Sequence, residues 1–108
     1  MPGMQTVNVT VANNQVAVDQ PRLDLSGAGR NVQIQWIIQT SGWTFPSDAD
    51  GVVISGNTGQ FTGGHVAQQG TRYIWTDANS DSQEYKYTVK VTNGSTTLPL
   101  DPIIINGA

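Results

Sequence analysis

No cysteine occurs among the 108 residues of this chain. That excludes a disulfide framework, a thiolate nucleophile and a cysteine-ligated metal. Histidine is nearly absent too: His65 stands alone in a Gly-rich stretch. A Ser-His-Asp arrangement would need it as the base, and no Gly-x-Ser-x-Gly elbow precedes it. Charge is scarce. Five Lys and Arg against eight Asp and Glu leave a net charge of −3. So few cations, spread along the chain, cannot form the basic patch that a nucleic-acid partner requires. Charged residues are only 12% of the chain, which leaves the surface to Asn, Gln, Ser, Thr and Gly. Such a surface offers little repulsion against association. No stretch approaches the ~20 apolar residues of a membrane span. The N-terminal MPGMQTVNVT has neither the basic region nor the apolar run of a signal peptide, which favours a cytoplasmic location. Helical periodicity of useful length is missing as well.

What is present is a period of two. In QTVNVTV, Val7, Val9 and Val11 alternate with Thr6, Asn8 and Thr10, the signature of a half-buried strand. Asn13-Asn14 is a turn signal, and Pro21 interrupts the alternation that runs from Val16 to Leu25. In NVQIQWIIQ, Val32, Ile34, Trp36 and Ile38 share a face. A short strand is expected at Val52–Ile54, and the Gly-rich stretch 55–65 reads as a long loop with one weak strand at Phe61. Tyr73 and Trp75 alternate with Arg72, Ile74 and Thr76. In EYKYTVKVT, Tyr85, Tyr87, Val89 and Val91 face in while Glu84, Lys86, Thr88, Lys90 and Thr92 face out. Asn93-Gly94 predicts a type I′ hairpin to the closing segment. The pattern predicts an all-β protein: one domain over 1–108, an antiparallel two-sheet β-sandwich of seven or eight strands.

Two stretches sharpen this. LDLSGAGRNVQIQW resembles the second and third strands of an immunoglobulin-like sandwich, with Trp36 in the place of its core Trp. DSQEYKY resembles that family's corner-tyrosine segment, with Tyr85 as the corner residue and Asp81 four positions before it. The cysteine positions would fall near Leu25 and Tyr87, so the inter-sheet disulfide is missing. A cupredoxin-like sandwich is similar too, and YKYTVKV suits its late strands equally well. With one His and no Cys, that family's copper set could not exist here.

Site chemistry is thin. The eight acids sit mostly in turns, so no enzyme and no cofactor are expected. DANSDSQE places Asp77, Asn79, Asp81 and Glu84 as alternating oxygen ligands, a calcium candidate. Ser82 stands where an EF-hand needs Gly, and Glu84 comes at the eighth position rather than the twelfth. Trp43 and Phe45 in TSGWTFP are two apart and share a side in an extended chain. They form a lid on the core, a platform for a sugar ring or a contact between copies. Finally, LPLDPIIIN carries apolar residues on both strand faces. Pro99 and Pro102 place the segment at a sheet edge, with Ile103 and Ile105 inward and Ile104 outward. The reading that follows is a non-enzymatic interaction module that binds protein, itself included, as a homo-oligomer through Ile104. A carbohydrate-binding module at Trp43 and Phe45 and a calcium-stabilised adhesive module are the alternatives.

Overall fold

A strand that is apolar at every second residue has one face to bury, and the ten strands of the described residues bury such faces against one another. The structure, a computed structural model, describes residues 4–57 and 59–107. In chain order the strands are β1 (Met4–Ala12), β2 (Gln15–Val18), β3 (Arg22–Asp24), β4 (Val32–Ile38), β5 (Val52–Ile54), β6 (Phe61–Ala67), β7 (Arg72–Asp77), β8 (Glu84–Thr92), β9 (Thr97–Leu100) and β10 (Ile103–Ile105). One sheet has the order β2-β1-β4-β7-β6; the second has β3-β10-β8-β5, with β9 also on β8.

The β-sandwich is as expected, but the sheets are mixed rather than antiparallel, and the described residues form ten strands rather than seven or eight. Prolines account for part of both differences. A two-residue turn joins β1 to β2, with Asn13 and Asn14 at φ 53° and 58°. That pair of positive angles is what a type I′ connection demands. At Pro21 the chain leaves the first sheet and enters the second as β3, so one apolar run becomes two strands. It then returns to the first sheet as β4, running parallel to β1 with Val7 opposite Trp36. A hairpin could give only an antiparallel neighbour; the crossing permits a parallel one. At the far end Asp101-Pro102 divides the closing segment into β9 and β10, which lie end to end along β8.

The inward sets on β4 and β8 are those that the alternation predicts. Val32, Ile34, Trp36 and Ile38 are buried, as are Tyr85, Tyr87, Val89 and Val91. Trp36 is fully enclosed between the sheets, edge-on to Tyr87 with ring centroids 5.3 Å apart. Its Nε1 donates to the Tyr87 hydroxyl at 3.1 Å. Trp75 ties the sheets again, its Nε1 donating to the Val52 carbonyl at 2.9 Å.

Two loop expectations are corrected. The Gly-rich stretch yields a full edge strand, β6, broken by a bulge between Thr62 and His65. Gly64 is there because a Cβ would sit 2.5 Å from the Trp75 ring. The Asn93-Gly94 connection is not a two-residue turn. It spans residues 93–96, only Gly94 among them has positive φ, and Asn93 Oδ1 accepts from the Ser95 and Thr96 N–H groups.

Candidate functional site

The C-terminal strand carries the largest correction. β10 lies inside the second sheet, parallel to β3 and antiparallel to β8, and Ile104 is 0% exposed. Its partners across the sheet, Leu23 and Tyr85, are both core residues, so register turns Ile104 inward. A slip of one residue reverses every side chain, and the expected register is off by that one residue. The edge argument from proline fits β9, whose Pro99 has no N–H to offer; Pro102 only precedes β10 and accepts from the Tyr87 N–H through its carbonyl. Ile104 is therefore not a contact residue. Ile103 and Ile105, both half-buried, face outward instead.

Their surroundings follow from the pairing. Ile103 lies between Arg22 of β3 and Lys86 of β8, and Ile105 between Asp24 and Glu84. On β5, Val53 pairs with Thr88 of β8 and is 38% exposed. The outer face of the second sheet thus carries two rows across its strands: a cationic row centred on Ile103 and an anionic row centred on Ile105. An open hollow of about 520 Å³ beside the first row is lined by Ser55, Lys86, Thr88, Asp101 and Ile103. Arg22 and Glu84 approach each other at 3.4 Å, with both side chains more than half exposed. An exposed pair like this holds weakly and is free to re-pair.

The aromatic stretch divides in two. Phe45 is 4% exposed and sits edge-to-face with Tyr73 at 5.7 Å. Its N–H donates to the Gly70 carbonyl, and the neighbouring Thr44 pairs with Thr92. Trp43 is partly buried and packs on the same core. The pair closes this end of the sandwich. Phe45 offers no ring face to a ligand, so a two-ring platform is not formed.

The four calcium candidates do not converge. Glu84 points out toward Arg22. Asn79 is buried, and its side chain is fully used: Nδ2 donates to the Leu25 and Gly29 carbonyls and Oδ1 accepts from the Gly107 N–H at 2.8 Å. Asp81 Oδ2 accepts from the Tyr85 hydroxyl at 2.6 Å. Among the described residues no group of three or more His, Cys, Asp or Glu side chains could hold a metal ion.

Asp77 and Asp81 instead join a polar cluster that sequence reasoning misses, because two members, Gln60 and Asn106, lie far off in the chain. Asn106 Nδ2 faces three oxygens: Asp81 Oδ1 at 2.9 Å, Asp77 Oδ1 at 3.2 Å and Gln60 Oε1 at 3.3 Å. Burial pushes the Asp77 carboxyl above its ordinary range, hydrogen bonds from Asn79 and Asn106 offset part of this, and the Asp81 charge adds to it. Burial also works against the Asp81 charge, but the bonds from Tyr85, Asn106 and Gln83 together outweigh it and hold that group below its usual range. The sequence carries no usable signal for Asn106: it shares parity with Ile104, which the expected register turned outward. His65 is exposed on β6, its Nδ1 2.7 Å from the Gly63 carbonyl, and no carboxylate or hydroxyl bonds to it among the described residues. No protein-family model matches the chain, and no curated protein matches it in sequence.

Proposed function

We propose that this protein is a non-catalytic β-sandwich that works by associating with a second copy through the outer face of its second sheet. The observation that carries the reading is the pair of charged rows around Ile103 and Ile105. A two-fold axis in the interface plane, perpendicular to the strands, lays one copy's cationic row on the other's anionic row. Ile103 then meets Ile105, Arg22 meets Asp24, and Lys86 meets Glu84. A patch that complements itself under a two-fold rotation suits a closed dimer, the commonest oligomer. The opposed charges set register and orientation, while the two isoleucines and Val53 supply the apolar contact.

The finer topology belongs to the same reading. Immunoglobulin-type sandwiches are built from antiparallel sheets. The parallel pairs β1–β4 and β3–β10 therefore favour the cupredoxin-like arrangement of the two that the sequence resembles. It would be a cupredoxin-like frame without the copper set, since there is one His and no Cys.

Sedimentation equilibrium across a salt series tests the proposal. The dimer should weaken as salt rises, because the facing rows are screened. Glu84→Lys should dissociate it further by setting like charges opposite each other. Self-association indifferent to both would place the contact elsewhere on the molecule.

A further inference from the structure

The polar cluster beneath the C-terminal segment leaves two atoms unexplained. Asp77 Oδ2 and Asn106 Oδ1 are buried and accept no hydrogen bond, in side chains that are 0% and 2% exposed. Both are acceptors, and their partners must therefore be donors. Buried acceptors without donors are costly and rare in native proteins. The two side chains are already joined, Asn106 Nδ2 donating to Asp77 Oδ1. The nitrogen faces three oxygens, which fixes the amide's orientation and rules out exchanging its O and N as the remedy. A carboxylic acid and an amide joined by one such bond can close a second between their remaining oxygens if the acid keeps its proton.

We infer that Asp77 is a neutral carboxylic acid in the folded protein, its Oδ2–H donating to Asn106 Oδ1 to complete a doubly hydrogen-bonded acid–amide pair. One proton then satisfies both orphaned oxygens. The surroundings favour this. The charged group facing Asp77 is Asp81, from the connection after β7, and Asp81 in turn holds the Tyr85 hydroxyl of β8. Val32 of β4 and Phe61 of β6, the strand partners of Asp77, carry no charge, nor do Gln60, Asn79 and Asn106. Among the described residues no Lys, Arg or His is hydrogen-bonded to either carboxylate, and the cluster thus contains one anion, Asp81, beside one neutral acid. The pair fastens the end of the chain. Asn106 follows β10 directly, and the next residue, Gly107, donates its N–H to Asn79 Oδ1. Losing the proton would leave an unpaired buried charge against that fastening.

The sign of the pH effect is definite. A carboxyl whose folded pKa lies above its ordinary value of 3.8 contributes stability that is complete below that value and is lost as pH rises through the folded pKa. Asn at position 77 mimics the neutral acid, donating from Nδ2 and accepting at Oδ1. The test is the thermal midpoint of the intact protein and of Asp77→Asn from about pH 4 to pH 8, in EDTA and in excess Ca²⁺. The expected result is that Asp77→Asn melts at or above the unaltered protein near neutrality, loses that advantage as pH falls, and responds no differently to Ca²⁺. A variant that melts well below the unaltered protein at neutral pH would overturn the proposal, since it would mean an ionised, partnered carboxylate. So would a midpoint raised by Ca²⁺ in the unaltered protein only, which would put a cation on the two oxygens. Should the variant fail to fold, infrared spectroscopy of the unaltered protein decides. A protonated-carboxyl band persisting near neutral pH supports the acid, and its absence refutes it.

Discussion

Single side chains in this sandwich are judged by what they bury and what they would orphan. Trp36 joins the two sheets through its ring and its N–H. Trp36→Ala should cost about 3–5 kcal/mol in chemical denaturation, the range for an emptied aromatic site. Tyr87→Phe is subtler: it keeps the ring and strands the Trp36 N–H in the core, for a loss of about 1–3 kcal/mol. A change under a few tenths of a kcal/mol would mean that the hydroxyl is not the partner of Trp36. The same hydroxyl sets the alkaline limit. Burial pushes Tyr87 up to about 12, with the Trp36 N–H offsetting part of the rise. Its neutral form is favoured by folding, so its contribution is complete below the ordinary value of 10.0 and is lost as pH rises toward 12. Absorbance titration should show Tyr87 ionising late and only together with unfolding, with Tyr73 also shifted upward by its burial.

Strand register is where sequence and structure part. Ile104→Ala should cost about 2–5 kcal/mol, whereas Ile103→Ala should cost roughly 1 kcal/mol or less, because only the first leaves a cavity. Equal losses would contradict the register of β10. On β4 and β8 the inward faces could be read from the chain alone, since seven to nine residues of clean alternation admit one choice of buried face. Three consecutive isoleucines give no alternation, so the orientation of β10 depends on its neighbours, Leu23 and Tyr85, which lie 81 and 19 positions away in the chain. The strand β6 was obscured for a related reason. Its glycines are read as loop residues, and only the Trp75 ring packed against Gly64 shows why a strand needs one there. Of the candidate site, the aromatic lid was half visible, while the bond between Asp81 and Tyr85 was not, because their offset in the chain names no partner. Asn106 was hidden, because nothing local marks a polar residue that will be buried by contacts with distant strands.

At the scale of the whole molecule, the second sheet has one apolar face in the core and another half-apolar face outside. The outer face alternates sign from row to row, and that distribution is what an isologous contact uses. The proposed contact therefore stands or falls on the oligomeric state of the folded protein. Light scattering on the intact chain, Ile103→Lys and Ile104→Lys measures it most directly. The account predicts a dimer for the intact protein, a folded monomer for Ile103→Lys, and an unfolded or aggregated chain for Ile104→Lys. An intact protein that stays monomeric at high concentration, or a folded Ile103→Lys variant that remains dimeric, would contradict it.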